Sequence, residues 1–108
     1  WLGHISIYEA IDGRTDFRIR LEGTRIAAMT GEDWTGRLAS AVDQAFGTRL
    51  RGILLETLRS RRPAFHVTRI YQRESQDATR MLLPVRSRHD APVDQILLVL
   101  YIDPAQQH

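Results

Sequence analysis

The chain has 108 residues, fifteen basic and thirteen acidic side chains, and a formal net charge of +2. This length is typical of a single domain. The sequence contains no cysteine and no lysine, which excludes disulfides, thiolate metal sites, thiol catalysis, attachment of a flavin through sulfur, and lysine Schiff bases. The longest apolar run, 96–102, is far shorter than the roughly 20 residues that span a bilayer, so we expect no membrane insertion and a cytoplasmic location.

The first two predicted elements are strands that form a hairpin. Apolar and polar residues alternate over 4–11 and again from Asp16, where Phe17, Ile19 and Leu21 share one face. Between them, Asp12 and Gly13 are typical turn residues.

The apolar period then changes to one typical of helices. Short helical turns are predicted over 24–45, and a longer helix over 48–61. Thr48 is the expected N-cap of the longer helix, and Pro63 ends it. Its apolar residues form one stripe: Leu50, Ile53, Leu54 and Leu58.

Three further strands are predicted over 65–72, 80–88 and 95–102. Strands that flank a helical insert favour an α+β fold with an antiparallel sheet. Both faces of the last strand are apolar, and helices can cover only one of them. The cover of the other face is expected to be another subunit or a segment upstream of Trp1. An uncovered apolar face usually marks an interface, so we predict a homodimer through Leu97, Val99 and Tyr101. The domain is expected to occupy 1–104, with a tail at 105–108.

Five segments, in order, cover nearly the whole chain: FRIRLEGTRI at 17–26, GEDWTG at 31–36, RP at 62–63, LLPV at 82–85 and VDQIL at 93–97. With these segments the chain resembles the PAS family, and within it a bacterial subfamily of single-domain proteins. The resemblance implies a five-stranded antiparallel sheet with inserted helices on one face. It also implies a non-catalytic sensory or regulatory module of signal transduction, which binds a small ligand or dimerises. Trp34 departs from the subfamily, which more often has a smaller aliphatic residue there, and would fill space that a ligand could otherwise take.

The resemblance implies a cavity between the sheet and the helices. The predicted lining consists of apolar residues that would form a solid core if no cavity is present: Met29, Trp34, Phe46, Leu50, Ile53, Leu54, Phe65, Met81, Leu83 and Leu98. The expected ligand is small and largely apolar, and Arg25 could meet an acidic group on it.

No cofactor is indicated by the residues. In this fold haem is often held by a histidine of the long helix, but 48–61 contains none, and of the four histidines only His66 is expected near a cavity. We therefore expect neither haem nor covalent flavin. Non-covalent flavin stays possible, but no residue pattern in the sequence favours it. His89, Asp90 and Asp94 are interpreted as turn residues rather than a metal site. There is no Gly-x-Ser-x-Gly elbow, so acyl transfer is not expected and no catalytic residue is assigned.

Two alternative functions remain open. The first is a small-molecule enzyme that uses the inner cavity, which a buried Asp, Glu or His facing the helices would favour. The second is nucleic-acid binding through arginines of the strands, but acidic residues interspersed among them argue against a patch of one sign. Those arginines are Arg18, Arg20, Arg69 and Arg86.

Overall fold

The computed structural model of the chain describes residues 4–11, 13–71, 75–90 and 92–102. Two strands come first, then three helices, then three strands, which is the predicted order. Their bounds are β1 Ile5–Ile11, β2 Asp16–Glu22, α1 Thr24–Thr30, α2 Ala39–Phe46, α3 Leu50–Ser60, β3 Ala64–Tyr71, β4 Ser75–Val85 and β5 Gln95–Ile102.

The five strands form one sheet in the order β2-β1-β5-β4-β3, and every neighbouring pair is antiparallel. The predicted α+β class with a five-stranded antiparallel sheet is therefore confirmed. A register shift after Ile7 places Tyr8 opposite Ile19 rather than Arg20. Because of this bulge, Tyr8 and Ile19 lie on the same buried face of the sheet.

The core lies between one face of the sheet, which we call the inner face, and the helices. The strands contribute alternate apolar side chains, and α2 and α3 contribute their apolar stripes. Leu54 in the middle of α3 is completely buried, as are Phe17 and Ile19 of β2. The other buried apolar residues are Tyr8, Trp34, Ala39, Val42, Leu58, Ala78, Leu82, Ile96, Leu98 and Leu100.

Helix α3 receives its N-terminal cap from another helix. Its own N-cap residue, Arg49, makes no side-chain cap hydrogen bond. Instead, the Asp43 carboxylate of α2 accepts hydrogen bonds from the N–H groups of Leu50 at 2.7 Å and Arg51 at 2.9 Å. The prediction that Thr48 caps this helix was wrong: Thr48 precedes the N-cap and donates its hydroxyl to Asp43 at 2.5 Å.

Helix α2 is capped in a similar way, this time from the sheet. Its N-cap residue, Leu38, has no polar side chain to offer, and the Asp16 carboxylate of β2 accepts the Ser40 N–H at 3.3 Å and the Ser40 hydroxyl at 2.5 Å. Helix α1, by contrast, starts after Gly23 with no side-chain cap and no acidic residue in its first turn. We refer to Asp16 and Asp43 below as the two carboxylate caps.

Candidate functional site

A cavity of about 350 Å³ lies between the inner face of the sheet and the helices. This volume is at the lower end of the range of small-molecule sites, which is roughly 300–1,000 Å³. Four strands and all three helices contribute to its lining, which is partly apolar and partly polar. The lining residues are Tyr8, Glu22, Ile26, Thr30, Val42, Thr48, Arg49, Leu50, Ile53, Arg80, Leu98 and Leu100.

Arg80 is the charged side chain that β4 places in this cavity. It lies on the inner face, opposite Leu100 of β5 and His66 of β3. Its Nε atom is buried and has no hydrogen-bond partner, and neither of the ion pairs found among the described residues includes it. Burial lowers the pKa of Arg80, but arginine starts so high that the guanidinium remains charged.

Tyr8 lies near Arg80 and is almost completely buried. Burial, together with the negative charge of Glu22, raises the pKa of the Tyr8 phenol, while the side-chain hydrogen bond with Ser6 and the positive charge of Arg80 lower it. Because burial dominates, the phenol is neutral at physiological pH and can donate its proton in a hydrogen bond.

Glu22 is a half-buried carboxyl at the end of β2 that also lines the cavity. Burial raises its pKa, and the nearby charge of Asp33 acts in the same direction. Its Oε1 accepts the N–H of Trp34 at 3.2 Å, which opposes that rise. A buried acid is the feature that would favour the enzyme alternative, but this hydrogen bond gives the partly buried Glu22 a structural role in holding the segment that follows α1.

Three of the predicted pocket residues, Leu50, Ile53 and Leu98, line the cavity. Trp34 and Leu54 are buried in the adjoining core without lining it. Phe46 is 45% exposed and packs edge-to-face against Trp34, with the ring centroids 5.6 Å apart. The Met29 side chain lies outside the described part of the structure.

The other three predicted pocket residues, Phe65, Met81 and Leu83, were assigned to the wrong face. Phe65 pairs with Met81, and Met81 pairs with Val99, so these side chains point away from the helices. Leu83 pairs with Leu97 on that same outer face. The physical reason is that the run 81–83 is apolar at every position. Without an alternation of apolar and polar residues, the sequence does not indicate which of these side chains faces inward.

Sequence reasoning missed three of the polar residues that line the cavity, Tyr8, Glu22 and Arg80. A signal for Arg80 was present, because it falls between Ala78 and Leu82 at the two-residue spacing of an inner face. Because arginine is rarely buried, this spacing alone did not mark Arg80 as an inner-face residue.

The predicted interface residues, Leu97, Val99 and Tyr101, all lie on the outer face of β5, opposite to the buried Ile96, Leu98 and Leu100. The apolar surface there continues onto β3, where Phe65 is 66% and Val67 is 76% exposed. The outer face is thus apolar and open to solvent in the single chain. That it forms a dimer stays a prediction.

The other candidate sites have structural explanations. Among residues 4–11, 13–71, 75–90 and 92–102, no group of three or more His, Cys, Asp or Glu side chains could hold a metal ion. Asp94 accepts the N–H of Ser87 at 2.8 Å and its hydroxyl at 2.6 Å, which fixes the β4–β5 connection as predicted for a turn. His66 lies at a second cavity, of about 220 Å³, beside the end of α3.

Two of the four arginines considered for nucleic-acid binding make contacts within the chain. Arg18 donates to the carbonyl of Gly36 at 3.1 Å, and Arg20 lies 3.7 Å from a carboxylate oxygen of Glu9. Arg86 is exposed, and the Arg69 side chain lies outside the described part. In the part of the chain that the structure describes, no helix combines the length and apolar character needed to span a membrane.

Comparison with known proteins gives structural neighbours but no sequence relatives. No protein-family model matches the chain, and no curated protein is significantly similar to it in sequence. The crystal structure of the Rhodobacter sphaeroides LOV protein superimposes with a TM-score of 0.60 and 20% sequence identity over 94% of this chain. The d2 variant of that protein, RsLOV, gives a TM-score of 0.59, and a point variant gives 0.54, both at 20% identity. This chain spans 60% of the length of the LOV protein. LOV proteins belong to the PAS superfamily, and this chain has the PAS fold that its sequence segments resemble.

Proposed function

We propose that this protein is a non-catalytic sensory or regulatory module of the PAS type, which binds a small ligand in the cavity between the sheet and the helices. The observation that carries the proposal is the position of this cavity. A molecule inside it would touch α1, α2 and α3 together with the inner face of the sheet. Occupancy could therefore change how the helices pack on the sheet, provided that the ligand binds one packing arrangement more tightly than another.

A cavity-filling substitution tests this function. Ile53 of α3 lines the cavity, whereas Leu55 of the same helix is also partly buried but lies outside the lining. We expect I53F to displace a ligand by occupying its space, and L55F to serve as the matched control for enlarging a side chain of α3. Native mass spectrometry of each protein, purified from its own host, would detect a retained small molecule.

The expected result is a bound mass in the wild type and in L55F that is lost in I53F. The unfolding temperature should also rise when a low-molecular-mass extract of the host is added to the wild type, and rise less for I53F. A wild type that carries no added mass and is not stabilised by the extract would contradict the proposal.

We also propose that the protein forms a homodimer through the outer face of the sheet. The support is the exposure of large apolar side chains there, among them Phe65, Val67 and Tyr101. Light scattering at micromolar concentration should give about twice the 12.4 kDa mass of one chain. V67E should lower that mass, whereas T24E, at an exposed position of α1, should leave it unchanged. A monomeric wild type would refute the dimer.

A further inference from the structure

We propose that the ligand of this cavity is a small organic anion, a carboxylate with an apolar body, and that Arg80 recognises its charge. This inference rests on the proposed function, because it assigns a chemical class to the ligand of the same cavity.

The first argument is that the buried Nε of Arg80 has no hydrogen-bond partner among the described residues. A buried charge is costly unless an opposite charge or hydrogen bonds compensate for it. The Arg80 Nε is buried and makes no hydrogen bond, and Arg80 belongs to neither of the ion pairs of the described residues. Arg80 also lines the cavity. A negatively charged group inside the cavity would supply the missing partner.

The second argument concerns the acid that could have neutralised Arg80. Glu22 lines the same cavity, but one of its carboxyl oxygens already accepts the Trp34 N–H. Burial also raises the pKa of Glu22. The other charged lining residue is Arg49, a second cation. The balance of fixed charge around the cavity is therefore positive and suits an anion.

The third argument comes from the rest of the lining, which determines the body of the ligand. Six of the twelve lining residues are aliphatic, and a long polar molecule would leave its hydrogen-bonding groups unpaired against them. The aliphatic residues are Ile26, Val42, Leu50, Ile53, Leu98 and Leu100. The single guanidinium of Arg80 matches a single carboxylate, which arginine can hold through two parallel hydrogen bonds. The neutral Tyr8 hydroxyl is a further donor in the same cavity.

Isothermal titration calorimetry can test the inference with matched pairs of probes. Straight-chain carboxylates from butanoate to decanoate are compared with the alcohols of equal chain length. The proteins are the wild type, R80M, R80Q and the control R88M, which removes one positive charge from an exposed position outside the cavity lining. Circular dichroism and the unfolding temperature establish that each variant is folded. R80Q provides a second neutral variant with a polar side chain if R80M folds poorly.

We expect the wild type and R88M to bind the best carboxylate at least about tenfold more tightly than its alcohol, since a hydrogen bond to a charged group contributes that much or more. In R80M and R80Q this preference should disappear, while the affinity for the alcohol stays the same. Equal affinity of the wild type for acid and alcohol, or an unchanged preference in both Arg80 variants, would overturn the anion and leave a ligand-binding cavity intact. Failure of both probe series to bind would also overturn it, and the host-purified protein would then show separately whether the cavity has another ligand.

Discussion

Removal of the Asp43 carboxylate should destabilise the fold because this group caps α3 from α2. In D43A, the N–H groups of Leu50 and Arg51 lose their acceptor, as does the Thr48 hydroxyl. Loss of a helix cap costs about 0.5–2 kcal/mol of stability. Because Asp43 accepts from a second N–H group and from a hydroxyl as well, we expect the cost of losing this cap to reach or exceed the upper end of that range. Two smaller effects act in the opposite direction: alanine favours the interior of α2 by a few tenths of a kcal/mol, and a negative charge leaves its last turn, which contributes about 0.3–1 kcal/mol.

The net expectation is a loss of about 1–2 kcal/mol in the free energy of unfolding, or about 4–16 °C in the unfolding temperature of a domain of this size. Urea denaturation followed by tryptophan fluorescence would measure it. D43N, which keeps one oxygen acceptor, should lose less than D43A. D90A is the matched control, because Asp90 is an exposed acid of the β4–β5 connection. If D43A unfolds within about 0.3 kcal/mol of the wild type, the carboxylate does not stabilise α3 and the argument fails.

Three further substitutions test the core, the buried carboxyl and the other cap. L54A should lower the free energy of unfolding by about 2–5 kcal/mol, because Leu54 is completely buried, and a loss below about 1 kcal/mol in urea denaturation would contradict its place in the core. Burial raises the pKa of Glu22 in the folded state, so protonation of Glu22 stabilises the fold. This stabilisation is complete in acid and is lost as the pH rises through the folded pKa. E22Q, which keeps an acceptor for the Trp34 N–H, should therefore be more stable than the wild type at neutral pH. The difference should vanish below about pH 4. Thermal unfolding across this pH range would show the opposite trend if the burial argument is wrong. D16A should lower the free energy of unfolding by about 1 kcal/mol, since Ser40 loses the acceptor at the start of α2, whereas S40A, which keeps the Ser40 N–H as a donor to Asp16, should cost less; an equal loss in both would mean that the Ser40 hydroxyl provides the whole effect.

The element order and the antiparallel sheet could be predicted because the periods of apolar residues are local properties of the sequence. The orientation of Met81 and Leu83 could not, because the face of a fully apolar run such as 81–83 is determined by pairing with distant residues. The start of α3 was misassigned for a related reason: Thr48 is adjacent in sequence, but the acceptor that caps the helix comes from Asp43 on the previous helix. The polar side of the cavity was missed because the burial of Arg80 depends on the helices that cover it.

The uneven capping of the three helices has a consequence for how a guest molecule could reach the interior. The Asp43 carboxylate links the first turn of α3 to α2 by hydrogen bonds, and the Asp16 carboxylate links α2 to β2 in the same way. Helix α1 has no side-chain cap at its start. Segments with fewer restraints open at lower free energy than the body of a protein. The amides of α1 should thus exchange with deuterium ahead of those in α3. Ile26 and Thr30 of α1 line the cavity. Local unfolding of this short helix would therefore open an entry path for a ligand while the sheet, α2 and α3 stay folded.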